Sequence, residues 1–137
     1  MACVLRAIGG GFDVASFLAE SPFRPDAVYR KGDRLFAAMA QSPIRTDSGF
    51  NLKVSEAGMD DLPGQVREAI AFLDEHEDEL RRLGAYEGVE AVGLDFGLRR
   101  RDVAAQSDLL PAELLWRAGA LDIDITVSHY EVAPQPD

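Results

Sequence analysis

Apolar and polar residues alternate along several short segments, as expected for β-strands that bury one side. In "LDIDITVSHYEV" at 121–132, Leu121, Ile123, Ile125 and Val127 lie on one side and polar residues lie between them. Further strands with the same alternation are predicted at 50–56 and 89–101, and a short apolar strand that ends at three glycines is predicted at 3–8. Each of these segments therefore indicates a strand with one buried and one polar or small side.

Helical spacing of apolar residues predicts one long helix in "DDLPGQVREAIAFLDEHEDELRRLGAY" at 60–86. Asp60 and Asp61 suit its start, Pro63 its first turn and Gly84 its end. Two acid-before-base pairs four residues apart support it: Glu77 with Arg81, and Asp78 with Arg82. Shorter helices are predicted at 12–21, where Asp13 is the N-cap, and at 110–120.

Turn-forming residues dominate two other segments. Residues 31–49 are rich in turn signals, and we interpret them as a loop or, preferably, a hairpin arm. The glycines of "IGGGFD" indicate a tight turn that needs positive φ rather than a phosphate loop, because the spacing and the lysine of such loops are missing. No segment suggests a domain boundary, so residues 1–137 are predicted to form a single domain with a tail at 132–137.

The order of elements predicts the fold class. Strands buried on both faces of a sheet are apolar throughout, whereas these strands have one polar side. We therefore expect an α+β fold, a two-layer sandwich in which helices cover one face of a sheet of four to five strands. The sheet is expected to be mixed or mostly antiparallel.

Charge and composition restrict the partners. The 14 Lys and Arg residues against 24 Asp and Glu residues give a formal net charge of −10, which disfavours nucleic acid and anionic membranes. The single cysteine, Cys3, excludes an internal disulfide. No secretory signal or apolar run of membrane-spanning length is present, so we expect a cytoplasmic protein.

Four segments together resemble a family of small bacterial proteins described as a domain of unknown function. They are "LRAIGGGFDVASFLAES", "YRKGD", "DLPGQVREAIAFLDEH" and "LLWRAGALDIDITVSHY". The resemblance covers nearly the whole chain and implies a compact α+β domain. It carries no established activity, cofactor or catalytic residue. Some small families of this general kind resemble immunity proteins, which bind and block a toxin.

The polar side of the sheet is the first candidate site. Its predicted interface residues are Asn51, Lys53, Asp95, Asp122, Asp124, Thr126, Ser128 and Tyr130. Three interpretations remain open: a solvated face, a surface for a protein partner or second copy, and a small-molecule site. The carboxylates of Asp95, Asp122 and Asp124 suggest a Ca²⁺ or Mg²⁺ site, but no calcium-loop pattern accompanies them, so we expect no metal.

The two histidines are the second candidate site. His129 follows the apolar side of the last strand, and His76 lies on the long helix. If that helix covers the strand, His76 and His129 approach each other and form an acid/base or ligand site with Glu77 or Glu131. Otherwise they are histidines at the rim of the core. No serine or cysteine occupies a recognisable nucleophile position.

Two further features have ordinary explanations. The arginines of "LRRRD" at 98–102 either pair with the protein's own carboxylates or bind an anion. Trp116 either covers the edge of the core, which is the interpretation we favour, or forms an exposed interface anchor.

The sequence therefore predicts a non-enzymatic protein-interaction module without a cofactor. Its partner would be a second copy of the chain or, for an immunity-type inhibitor, a basic protein. The alternative is a small-ligand binder or an enzyme with its site near His76 and His129.

Overall fold

The computed structural model describes residues 2–36 and 38–131. The predicted tail at 132–137 lies outside the described residues. The strands are β1 (Cys3–Gly9), β2 (Ala27–Tyr29), β3 (Ser48–Ser55), β4 (Ala91–Arg99) and β5 (Asp124–Tyr130). The helices are α1 (Val14–Ala19), α2 (Leu62–Glu75), α3 (Glu77–Ala85) and α4 (Ala112–Ala120).

The strands form one mixed sheet in the order β2-β3-β1-β4-β5. β1 pairs antiparallel with both β3 and β4, and β2 pairs antiparallel with β3. β5 pairs parallel with β4, because α4 carries the chain back across the sheet between them. β2 and β5 are therefore the edge strands.

The core lies between one face of this sheet and the helices. Leu5 is opposite Leu52 and Leu94, and Leu94 is opposite Ile125, so these side chains form one apolar row. Each helix adds buried residues to the same core: Phe17 from α1, Leu73 from α2, Leu80 from α3 and Leu114 from α4. The predicted α+β fold with helices on one face is confirmed.

Local signals begin two of the helices as predicted. The carboxylate of Asp13 accepts a hydrogen bond from the Ser16 N–H at 3.1 Å and caps α1. Asp61 caps α2 in the same way through the Gly64 N–H at 2.9 Å, and Pro63 lies in the first turn. These side chains satisfy N–H groups that have no partner inside the helix.

The long helix predicted at 60–86 is instead two helices that meet at His76. This segment contains a second signal for the start of a helix, because Glu77, Asp78 and Glu79 form the acidic first turn of α3. Arg82 bonds to Glu79 at 2.6 Å, so the predicted pair of Asp78 with Arg82 is wrong. The predicted pair of Glu77 with Arg81 is present at 2.9 Å.

Glycine is required at the end of β1 for a different reason from the one predicted. The described glycines with positive φ are Gly32 and Gly88, so the positive-φ prediction for "IGGGFD" is wrong. A β-carbon on Gly9 would overlap the carbonyl oxygen of Gly88, because two backbone segments cross there. Close approach of the backbone therefore explains this glycine.

Residues 32–35 pair with residues 43–45 and form a hairpin arm beside β2 and β3. The Gly32 N–H donates to the Arg45 carbonyl at 2.9 Å, and the Arg45 N–H donates to the Asp33 carbonyl at 2.8 Å. Arg34 and Ile44 form an antiparallel bridge further along the arm. The Arg45 guanidinium lies 3.9 Å from the centre of the Tyr29 ring, which attaches the arm to β2.

Candidate functional site

The face of the sheet opposite the helices carries nearly all the residues predicted to form an interface. Those on this face are Asn51, Lys53, Asp95, Asp124, Thr126, Ser128 and Tyr130. Asp122 is the exception. It lies in the turn between α4 and β5 with a φ of 58°, so the prediction that placed it on the strand is wrong.

A buried carboxylate ties the central strands of this face together. Asp95 on β4 is 6% exposed and accepts a hydrogen bond from the Arg6 guanidinium on β1 at 2.7 Å. Its other oxygen accepts a hydrogen bond from the Ser128 hydroxyl on β5, also at 2.7 Å. Asp95 therefore acts as an internal link that holds β5 against β4.

The outer part of the same face is free. Asp124, Thr126 and Tyr130 on β5 are exposed. Lys53 on β3 is also exposed and forms an ion pair with Glu56 at 2.8 Å, and the hydrogen bond and charge of Glu56 raise the pKa of Lys53. The accessible polar groups of the predicted interface thus concentrate on the edge strand β5.

The backbone of β5 has one side turned toward β4 and one side turned outward. The Tyr130 carbonyl accepts a hydrogen bond from the Arg100 N–H at 2.8 Å, just beyond β4. Because successive residues of a strand point their backbone groups to opposite sides, Ile125, Val127 and His129 present theirs at the free edge. Within residues 2–36 and 38–131, no backbone hydrogen bond from outside the sheet engages these three residues.

Helix α4 adds an apolar border to this edge. Arg117 contacts Asp74 of α2, so that side of α4 faces α2. Leu115 is two residues earlier, about 200° around the helix, and so points away from α2. Since α2 contacts β3 and β4 whereas α4 contacts β5, this direction is toward the free edge. Leu115 is 48% exposed there.

Trp116 does not cover the core, and that prediction is wrong. Its side chain is 71% exposed, because Leu114 and Ala118 are the residues that α4 turns into the core. Trp116 is about 200° around the helix from Leu114 and so points to solvent.

The structure places the two histidines at opposite ends of α2. His76 follows the last residue of α2 and packs against Phe23 and Phe72, with ring centres 5.4 and 4.7 Å away. His129 lies opposite Leu98, next to Gly97, whose carbonyl accepts a hydrogen bond from Gln65 in the first turn of α2. Gln65 and His76 are eleven positions apart, about 16 Å along a helix. The two rings therefore do not share a site.

Cys3 is buried, and the possible metal ligands among the described residues lie apart from each other. Burial raises the pKa of the Cys3 thiol to about 12, and the charges of Asp95 and Glu68 add to this shift. Cys3 is therefore a poor nucleophile and is closed to disulfide formation with a second copy. In the part of the chain that the structure describes, no three His, Cys, Asp or Glu side chains group closely enough to hold a metal ion.

The three arginines of 98–102 pair with carboxylates of the same chain. Arg99 lies 3.2 Å from Asp60, and Arg101 lies 3.7 Å from Asp108. Arg100 contacts Glu131 at 3.1 Å. Of the two interpretations of this run, internal pairing is the one observed.

Two of these pairs, Arg99 with Asp60 and Arg101 with Asp108, border a groove of about 630 Å³ that the sequence did not reveal. It lies between the first turns of α2, the C-terminal end of β4 and the loop at 100–111. Its floor consists of Leu62, Val66 and Leu98, and Leu109 forms part of its wall. Arg67, Arg99 and Arg101 line it as well. Residues from distant parts of the chain meet here, so no local motif marks the site.

An exposed apolar cluster on the hairpin arm was also missed. The large side chains concerned are Leu35, Phe36, Met39 and Ile44, which are 40–59% exposed. Their occurrence in a turn-rich segment, where polar residues are usual, was the signal that the sequence offered.

Comparison with models of protein families, with curated proteins and with solved structures finds no match. The resemblance to a bacterial family therefore stays a prediction. Among the described helices, none is both long and apolar enough to span a membrane.

Proposed function

We propose that this chain is a non-enzymatic protein-interaction module that pairs with a second copy of itself through the free edge of β5. The observation that carries the proposal is the row of outward backbone groups at Ile125, Val127 and His129. An exposed strand edge of this kind is a template for antiparallel pairing with another strand.

The row is symmetric about Val127, as a two-fold axis requires. If Val127 lies opposite its own copy, Ile125 lies opposite His129 of the second chain, and each such pair exchanges two N–H···O bonds. All three outward residues are then satisfied. Moving the axis to residue 126 or 128 would leave one outward residue of each chain unpaired.

The side chains also suit this register. On the open face it places Thr126 opposite Ser128, and Asp124 opposite Tyr130, so hydroxyl groups meet a hydroxyl or a carboxylate. On the helix face it places Val127 opposite Val127. No like charges come directly opposite each other, which matters for a chain of net charge −10.

The border formed by α4 supports the same arrangement. Leu115 points toward the free edge, and the two-fold axis brings α4 of the second chain toward it. The apolar contact would add to the backbone pairing, which alone gives only modest affinity in water.

Sedimentation over a range of protein concentrations tests the proposal. We expect a reversible dimer, and we expect Val127→Pro to be monomeric, because proline removes the outward N–H while leaving the ladder with β4 intact. Val127→Thr keeps that N–H and a β-branched side chain, so it should still form the dimer. Circular dichroism verifies that both variants are folded.

A monomer at every concentration, or a Val127→Pro variant that dimerises as well as the parent, would overturn the proposal. A monomer that binds only a basic protein would instead favour the immunity-type inhibitor predicted from the net charge. The separation of His76 from His129 gives no support to an enzyme or ligand site formed by these two residues.

A further inference from the structure

We propose that the groove between α2, the end of β4 and the loop at 100–111 binds a small amphipathic carboxylate, with its apolar body in the groove and its head at Arg67. This site is formed within one chain and does not depend on pairing through β5.

The size and lining of the groove suit a small molecule. Its volume of about 630 Å³ is within the usual range of ligand sites, about 300–1,000 Å³. The apolar lining residues are Met59, Leu62, Pro63, Val66, Ile70, Leu98, Leu109 and Pro111. An apolar body therefore fits the larger part of this surface.

The floor of the groove belongs to the rigid core. Leu62, Val66 and Leu98 are 3–8% exposed and are held by α2 and β4. The wall is different, since Leu109 is 76% exposed although it lines the groove. A bound apolar body would cover Leu109 without a rearrangement of the core, and the burial of its methylene groups would favour binding.

The charged residues around the groove determine which ligand head group can bind there. Arg99 and Arg101 are already paired with Asp60 and Asp108, at 3.2 and 3.7 Å. Arg67 is the remaining arginine of the lining, and among residues 2–36 and 38–131 it has no acidic partner within 4.0 Å. The carboxylate of a ligand would give Arg67 the acidic partner that Arg99 and Arg101 already have, through a charge-assisted, bidentate hydrogen bond.

The same charges disfavour other ligands. The lining contains three arginines and three acids, so it is neutral in a chain of net charge −10. A phosphate group would meet Asp60 and Asp108, and Asp61 already occupies the start of α2, where anions otherwise bind. A cationic head would lie against Arg67, and the third acid of the lining, Glu113, already pairs with Arg117 at 3.2 Å. One anionic head on an apolar body is the combination that remains.

Titration with decanoate, monitored by calorimetry and by NMR spectra of the intact chain, tests this inference. We expect saturable binding of decanoate, with shifts at Ile70, Leu98 and Leu109, and at least tenfold weaker binding of decyltrimethylammonium. Arg67→Gln should weaken decanoate binding about tenfold, as expected for loss of a charge-assisted bond. Arg81→Gln, a change of the same kind on α3, should leave it unchanged.

The inference is overturned by any of three results: no saturable binding at millimolar decanoate, equal binding to the parent and Arg67→Gln, or shifts confined to the arm at 32–45. Leu109→Ser removes an exposed side chain and leaves the core intact. It should weaken the binding of decanoate and of decyltrimethylammonium by the same factor. This comparison separates the apolar contribution to binding from that of the charge.

Discussion

Replacement of Asp95 by alanine should loosen the attachment of β5 to the sheet. The carboxylate links β4 to both neighbouring strands through Arg6 and Ser128, each at 2.7 Å. It is 6% exposed, so water replaces these contacts poorly in the folded protein. The edge strand on which the proposed dimer depends is therefore held to the sheet by this side chain in addition to its backbone pairing with β4.

The two contacts contribute unequally to the free energy of unfolding. The Arg6 side chain is 47% exposed, so solvent screens its ion pair, and we assign it about 1 kcal/mol. The hydrogen bond from Ser128 to a charged acceptor is worth about 1.5 kcal/mol. The Asp95→Ala change also removes the cost of burying the carboxylate, and this offsets part of the two contributions. The expected loss in the free energy of unfolding is therefore about 2 kcal/mol, which lowers the melting temperature by about 6–8 °C.

Urea unfolding monitored by circular dichroism measures this loss. Asp102→Ala is the control, because Asp102 is exposed, and its variant should change the free energy of unfolding by less than about 0.5 kcal/mol. A double-mutant cycle of Asp95→Ala with Ser128→Ala should give a coupling of about 1 kcal/mol. A loss no larger than that of Asp102→Ala, or zero coupling, would refute the assigned role.

Three further predictions concern stability and reactivity. Gly9→Ala should destabilise the fold by at least about 2 kcal/mol in urea unfolding. Gly84→Ala lies in an open helical position and should stabilise the fold by about 0.5–1 kcal/mol. Equal effects of the two changes would contradict the close approach of the backbone at Gly9. Burial alone would raise the pKa of Glu79, but hydrogen bonds from Arg82 and Ser21 lower it below the usual 4.5. The stabilisation by Glu79 is therefore present above pH 4.5, and it is lost as the pH falls through the pKa of Glu79 in the folded protein. Between pH 6 and pH 3, the Glu79→Gln variant should thus lose less stability than the parent. Cys3 should react with a thiol reagent only after unfolding.

Periodicity and capping signals predicted most of the fold because they act over a few neighbouring residues. Asp13, Asp61 and Pro63 mark helix starts through contacts within one turn, and the alternating apolar residues of β4 all lie in the core. The break at His76 was missed because the apolar stripe continues across it. Glu77 and Asp78, which begin α3, instead supported a single helix through their predicted pairs with Arg81 and Arg82.

The candidate sites were harder to predict because they depend on the order of the strands. Nothing local shows that β5 is an edge strand parallel to β4, and this position is what frees the backbone of Val127. The groove likewise joins Arg67 to Leu109, which are far apart in sequence. Asp95 was predicted as part of an open surface, whereas Arg6 and Ser128 enclose it.

Disulfide cross-linking of Val127→Cys tests the central claim most directly. In the proposed register residue 127 lies opposite its own copy with Cα atoms about 5.5 Å apart, which suits a disulfide. Cys3 is buried and does not compete. We predict that mild oxidation converts Val127→Cys to a covalent dimer, while Thr126→Cys and Asp124→Cys stay largely uncross-linked. Equal cross-linking of all three variants, or none for Val127→Cys, would contradict pairing of β5 about Val127.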